Sequence, residues 1–256
     1  EEARGPAPGR RKEGTPMDEP IAKIEKSLDR VEVWVENHNY RGYEPFDGLT
    51  SYLHPLTFKN RFACQVLQQT VRRFPINLRP ILGIKPLDST KGRGFMAWGY
   101  LKRYQTSRDE RHKAKALACL DWLDENPSPL YPQRSWGNHF FYASRAGYTP
   151  RFESTIVWTG LIGQAYLEAF ELFHDERHRR TIASIAEWIM GLPREQTDHG
   201  LCLSYVMPHQ MSVHNSNMIG AAFLAGAARV LGKTELLDVA RQADRKICVD
   251  GKSLDI

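Results

Sequence analysis

The chain has 256 residues, 41% of them hydrophobic, which suffices for a large domain with a substantial core and excludes a wholly disordered chain. Its 35 basic and 30 acidic residues leave a net charge of +5, an excess carried by Arg4, Arg10, Arg11, Lys12 and Lys23 at or near the amino end. A nucleic-acid footprint is therefore not expected, no run of about 18 apolar residues marks a membrane span, and the N-terminus lacks the apolar stretch of a signal peptide, so a soluble cytoplasmic protein is expected.

Residues 1–17 combine Gly, Pro and charge with almost nothing to bury, and a disordered tail is expected there. From Asp18 the stretch "DEPIAKIEKSLDRVEVWVENH" sets Ile21, Ile24, Leu28, Val31 and Val35 at helical spacing behind an Asp and an early Pro, which predicts an amphipathic helix. Periodicity predicts further helices over 57–74, 93–106, 109–125, 153–173, 175–191, 214–231 and 234–248, while 201–207 reads as a short extended piece. Cys64, Cys119, Cys202 and Cys248 are far apart without a Cys-x-x-Cys pair, so free thiols are expected.

The tetrapeptide Asp-Glu-Arg-His occurs at 109–112 and again at 175–178, a shift of 66 positions. At that shift Tyr100 falls on Tyr166, Leu101 on Leu167 and Trp122 on Trp188, but His174 falls on Arg108, so a two-histidine metal site is not repeated. The repeat instead reads as the polar start of the second helix of a helical hairpin, and residues 217–247 read as a weaker third copy. Hairpins of this kind bury their faces by stacking on neighbours. The glycines and alanines of "TGLIGQAYLEAF" and "IGAAFLAGAARV" suit inner helices crowded about an axis, so the fold class expected over 18–256 is all-α, an α/α toroid of the six-hairpin type. Eight helices make four hairpins rather than six, which leaves a smaller or open ring, or a chain incomplete at its C-terminal end, and the uncapped ending favours the last.

Four loops before the predicted inner helices mix aromatic, polar and charged residues as a sugar-binding cleft requires. Asp47 in "GYEPFDGL" is read either as an Asx-type turn carboxylate or as a general acid or base, and Glu153 either as a first-turn helix carboxylate or as the second carboxylate of glycosidic chemistry. His214, with Asn215 and Asn217, opens a helix and offers a hydrogen-bond array, while Arg79 in "NLRP" suits a uronate or phosphate. If the site catalyses, Asp47 and His214 exchange protons with the sugar, Arg79 orients an anionic group, and Trp136 and Tyr43 stack; His139, Tyr142 and Arg145 complete the set. No P-loop, dinucleotide fingerprint, nucleophile elbow or zinc ligand set is present, so neither cofactor nor metal is expected.

The stretches "YRGYEPFDGL", "FPINLRPILGIK", "KGRGFMAWGYLKRY" and "VHNSNMIGAAFLAGAARVLGKTELL" resemble bacterial exopolysaccharide-cluster proteins of the VpsJ type, which are distantly similar to sugar epimerases and α/α-barrel glycosidases and lyases. The resemblance implies a role in making or modifying a secreted polysaccharide, on an oligosaccharide or polysaccharide intermediate and beside polysaccharide-assembly proteins. The chain departs from that pattern where "FFYASR" replaces an "FDWQSR"-like run, and no aromatic, glycine-rich segment follows the last repeat. A non-catalytic helical-repeat scaffold recruiting glycosyltransferases is the competing expectation.

Overall fold

A computed structural model describes residues 18–144 and 147–250, so the expected tail and the last six residues lie outside the described part. The chain divides into two compact units at residues 41 and 42. The first contains helix α1 (Asp18–Asn37), whose Ile21, Ile24, Leu28 and Val31 are exposed as a stripe and whose Trp34 ring stacks on His38 at 4.2 Å.

The second unit contains α2 (Arg61–Arg73), α3 (Thr90–Ser107), α4 (Glu110–Glu125), α5 (Ile156–Phe173), α6 (Glu176–Met190), α7 (His214–Leu231) and α8 (Thr234–Asp250). The hairpins α3/α4, α5/α6 and α7/α8 stack side by side, with α5 between α3 and α7. This all-α arrangement of helical hairpins with a shared inner layer is the one expected of an α/α toroid.

The duplicated tetrapeptide has a capping role in both places. Asp109 caps α4 by accepting the Arg111 N–H at 2.9 Å, and Asp175 caps α6 by accepting the Arg177 N–H at 2.8 Å. The residues just before them, Arg108 and His174, both adopt the left-handed conformation that ends the preceding helix, at φ 57° and 51°. That shared turn explains why Arg108 stands opposite His174: the position is selected for its backbone, and no metal ligand is repeated there. In the third hairpin Gly232 makes the same left-handed turn.

Inner helices approach closely because glycines remove side chains at their contacts. A Cβ on Gly94 would meet Ile162 Cγ1 at 2.7 Å, and one on Gly160 would meet Ile219 Cγ2 at 2.8 Å. Further along, Gly163 faces the Phe223 ring and Gly226 faces Leu167. These pairings advance in the same direction on both partners, so α3, α5 and α7 run parallel with their N-termini at one end. Lys102 of α3 and Glu168 of α5, one repeat apart, join at 2.7 Å, and Arg229 of α7 pairs with Glu171 of α5. The buried Tyr166 ties the inner layer to the outer one, donating its hydroxyl proton between the Leu120 carbonyl at 3.0 Å and Asp124 at 2.9 Å.

Four boundaries differ from expectation. α3 starts at Thr90 rather than 93, because Ser89 supplies the cap by accepting the Gly92 N–H. α2 starts at Arg61 rather than 57, because His54–Thr57 forms a 3-10 turn, Phe58 and Lys59 turn left-handed, and Asn60 supplies the cap. α5 starts after Thr155, whose side chain accepts the Trp158 N–H, so Glu153 precedes the helix and is not a first-turn residue. The extended piece is the second arm of a hairpin, Gly200–Leu203 paired with Arg194–Thr197, and a second short hairpin pairs Tyr142–Ser144 with Gly147–Thr149. Cys64, Cys119 and Cys202 are buried free thiols, and the side chain of Cys248 lies outside the described residues.

Replacing Gly163 by Ala forces a methyl into the Phe223 ring and is expected to lower stability by about 1–3 kcal/mol. Gly99→Ala in α3, where nothing lies within 4 Å, is expected to raise it by about 0.5–1 kcal/mol. Thermal melts of the two variants check this opposition of sign.

Candidate functional site

Parallel inner helices carry the loops before them to the same end, and hydrogen bonds tie those loops together. The Thr90 hydroxyl at the start of α3 donates to the Gly137 carbonyl at 3.2 Å. Thr155 N–H donates to the Trp136 carbonyl at 3.3 Å, and Ile156 N–H to the Tyr205 carbonyl at 3.0 Å. The loops before α3, α5 and α7 are thus bonded in succession. The 142–149 hairpin is held to α2 by Gln68, whose side-chain amide donates to the Ala143 carbonyl at 3.3 Å and accepts its N–H at 3.2 Å.

The 40–55 loop is fixed by Asp47 and Arg79. Arg79 Nε donates to both Asp47 oxygens at 2.9 Å, and Nη2 donates to the Glu44 carbonyl at 3.0 Å. The Glu44 N–H closes the turn onto Asp47 at 3.1 Å. Asp47 is 1% exposed and Arg79 15%, so water screens this pair little. Burial pushes the Asp47 carboxyl above the usual range, opposed by the Arg79 guanidinium and the Glu44 amide. The guanidinium also lies 5.3 Å from the ring centre of Tyr43, itself 41% exposed, and Arg79 Nη1 has no partner among the described residues. Asp47 is therefore a turn carboxylate, with its amide partner three residues before it rather than two after as in an Asx turn, and also the anchor of Arg79.

Tyr142 joins this loop through Phe46, and His139 lies within electrostatic reach of Glu44. The Tyr142 ring meets Phe46 edge-on at 5.4 Å, and Arg72 covers Phe46 at 4.5 Å. His139 lies between Trp122 at 6.3 Å and Phe152 at 5.3 Å. Burial lowers its pKa, with Asp88 and Glu44 opposing and Arg151 assisting, so its imidazole is neutral near pH 7. Tyr205 is half-buried within electrostatic reach of Tyr142, and burial raises its hydroxyl pKa.

Glu153 has its own set of partners. It is buried and accepts a short hydrogen bond from the Tyr131 hydroxyl, while the Tyr131 ring meets Trp188 edge-on at 6.1 Å. Burial pushes the Glu153 carboxyl above its ordinary value, more than Tyr131 and the charge of His209 pull it back. Asp47 and Glu153 share no hydrogen-bond partner, so no directly linked carboxylate pair forms.

The other sequence candidates are distributed differently. Trp136 is fully buried against Tyr166 at 5.9 Å with its indole N–H on the Leu123 carbonyl, and presents no stacking face. Asn217 is buried too. It accepts the Leu203 N–H at 2.9 Å and donates to Leu201 at 2.9 Å and Ala243 at 3.1 Å, pinning the 200–203 arm between α7 and α8. His214 and Asn215 are exposed at the start of α7, and Arg145 lies outside the described residues. Among the described residues no group of three or more His, Cys, Asp or Glu is placed to hold a metal. Sequence reasoning did not single out Glu44, Tyr131, Tyr205 or His209. Glu44 acts through its backbone N–H and carbonyl, so its residue type gave no signal in the sequence.

No protein-family model matches the chain, nor does any curated protein sequence. Among solved structures it is similar to a D-mannose isomerase at 14% identity and a TM-score of 0.48, over 64% of this chain and 41% of that one. A cellobiose 2-epimerase from Bacillus thermoamylovorans matches at 9% identity and a TM-score of 0.49, over 62% of this chain and 44% of the other. A family 76 glycoside hydrolase from a bovine Bacteroides thetaiotaomicron strain matches at 11% identity and a TM-score of 0.45, over 79% and 46%. The chain spans less than half the length of these three structures. With TM-scores below 0.5, they decide neither fold nor activity here.

Arg79→Ala strands a buried carboxylate and is expected to cost about 3 kcal/mol in urea unfolding, whereas the double change Asp47→Leu with Arg79→Met recovers most of it. Glu153 remains protonated to higher pH in the folded than in the unfolded chain. Its stabilising contribution is therefore complete below the ordinary value of 4.5 and is lost as pH rises through the elevated folded value. Glu153→Gln, neutral throughout, is expected to lose that decline, so its stability relative to the wild type increases as pH rises above the ordinary carboxyl value in the same assay.

Proposed function

We propose that the protein is carbohydrate-active and belongs to exopolysaccharide biosynthesis, binding a glycan or sugar intermediate at the loop end of the inner helices. The observation that carries this reading is the knot of Asp47, Arg79 and Tyr43, which Tyr142 joins through Phe46. Within it, a guanidinium fixed by a buried carboxylate adjoins the exposed Tyr43 ring, and the neutral imidazole of His139 lies within electrostatic reach of Glu44. Rings offer apolar faces to a pyranose, the imidazole and hydroxyls bond its hydroxyl groups, and Arg79 Nη1 is placed for an acidic substituent. Because Asp47 already holds Arg79, the guanidinium binds without first losing rotamer freedom. The motifs similar to VpsJ-type proteins support the polysaccharide setting and a cytoplasmic location.

In this reading acid-base chemistry falls to Glu153, whose burial favours the protonated form a general acid requires, with Tyr131 fixing its orientation. Asp47 acts by positioning Arg79. His214 and Asn215, exposed at the start of α7, are placed to meet the outer part of a longer glycan. The reaction class is an epimerisation, hydrolysis or elimination, all of which use such an acid.

A scaffold that binds polysaccharide-assembly enzymes without catalysis is the second reading, favoured by large aromatic residues exposed outside these loops, Phe58 and Phe62 among them. Titration calorimetry with a panel of neutral and uronate-containing oligosaccharides separates the two. The glycan reading predicts micromolar binding of a uronate glycan, weakened at least about tenfold by Tyr142→Ala and by Arg79→Ala. Tyr142→Ala leaves the Asp47 ion pair intact, so it remains informative if Arg79→Ala fails to fold. No binding across the panel by the folded wild type overturns the glycan reading in favour of the scaffold.

A further inference from the structure

Residues 48–87 contain Lys59, Arg61, Arg72, Arg73, Arg79 and Lys85 and no Asp or Glu. A stretch of 40 residues without one carboxylate is unusual in a chain that carries 30 of them. Arg79 is held by Asp47 and Arg72 lies over Phe46, while Lys59, Arg61, Arg73 and Lys85 are exposed.

The same stretch exposes large apolar side chains. Leu56 is 68% exposed, Phe58 88% and Phe62 74%, and Val66 follows one helical turn after Phe62 on the same edge of α2. Arg73 continues that edge two turns further on. Phe58 stands in the left-handed conformation at φ 50°, followed by Lys59 at φ 56°. This backbone is costly for residues bearing a Cβ, and bulky aromatics rarely adopt it. The turn is held by Phe58 N–H on the Pro55 carbonyl at 3.1 Å and Asn60 N–H on the Thr57 carbonyl at 2.8 Å. The fold thus holds a phenyl ring out in water on a strained, hydrogen-bonded turn, with cations on both sides.

We propose that this face, centred on Phe58 and Phe62 and ringed by Lys59, Arg61 and Arg73, docks the protein on an anionic lipid bilayer. Bulky apolar side chains enter the boundary between headgroups and acyl chains, and lysine and arginine meet the lipid phosphates. A bilayer supplies an apolar layer and a negative surface together, which is what an apolar face lacking carboxylates complements. No described helix is long and apolar enough to cross a membrane, so the attachment is peripheral. Neither Phe58 nor Phe62 takes part in the proposed glycan site, and docking stands or falls independently of that site.

Sedimentation with vesicles tests this directly. The full chain is incubated at low salt with vesicles of phosphatidylcholine alone or with about one-third phosphatidylglycerol. The proposal predicts binding only to the anionic vesicles, reduced by added salt. Phe58→Ser with Phe62→Ser, and separately Lys59→Glu with Arg61→Glu, are each expected to lower the bound fraction at least about tenfold. All four side chains are exposed, and far-UV circular dichroism verifies that the variants are folded. Absence of wild-type binding, equal binding to both vesicle types, or binding unchanged in both variants overturns the proposal. If the wild type ignores vesicles but self-associates, and the Phe58 and Phe62 changes dissociate it, the face serves a second copy of the chain instead.

Discussion

The architecture depends on how closely the inner helices approach one another. Gly94, Gly160, Gly163 and Gly226 each accept a side chain of the neighbouring helix into the space a Cβ would fill. Glycine in a helix costs about 1 kcal/mol relative to alanine, so four of them at contacts is tolerated only because packing offsets the propensity lost. The shared register makes α3, α5 and α7 parallel, and parallel helices deliver their preceding loops to the same end. The candidate site follows from this geometry rather than from any single motif.

Within that end, order comes from electrostatics in low dielectric. Asp47 and Arg79 are 32 residues apart and mostly out of water, so each is costly without the other. Together with the Glu44 amide they pin the 40–55 loop to the 74–88 loop. Tyr43 and Tyr142 then become fixed surfaces rather than mobile side chains. One ion pair stabilises the loop and, in the proposed reading, orients the guanidinium that a glycan would meet. Glu153 meets the same desolvation with a phenol rather than a cation; the Tyr131 hydrogen bond favours the charged form, and burial outweighs it.

How much was legible in the sequence depended on the range of the interactions involved. The duplicated tetrapeptide was correctly read as a helix start because capping is local: Asp109 and Asp175 bond amides two residues ahead. The small-residue inner helices were legible for a related reason, since glycines inside helical patterns call for a close neighbour. Glu153 was placed in a helix because its apolar neighbours suggested one, but Thr155 is the better cap and starts α5 later. Trp136 and Asn217 were drawn toward the site by residue type alone. Indoles and amides serve cores and clefts equally, and only long-range packing on Tyr166, or bonds to Leu201, Leu203 and Ala243, decides between them. The 142–149 hairpin was illegible because its anchor, Gln68, lies 75 residues upstream of Ala143.

The central claim is that the loops before α3, α5 and α7, with the Asp47 loop, form one glycan site. Hydrogen exchange read by mass spectrometry, with and without a saturating oligouronate, tests it most directly. The account predicts that amides in 43–47, 77–84, 139–144 and 204–206 slow together on addition of the glycan, while those of α4 and α6 do not change. Slowing confined to one of these segments, or to none of them while the glycan still binds, would contradict it.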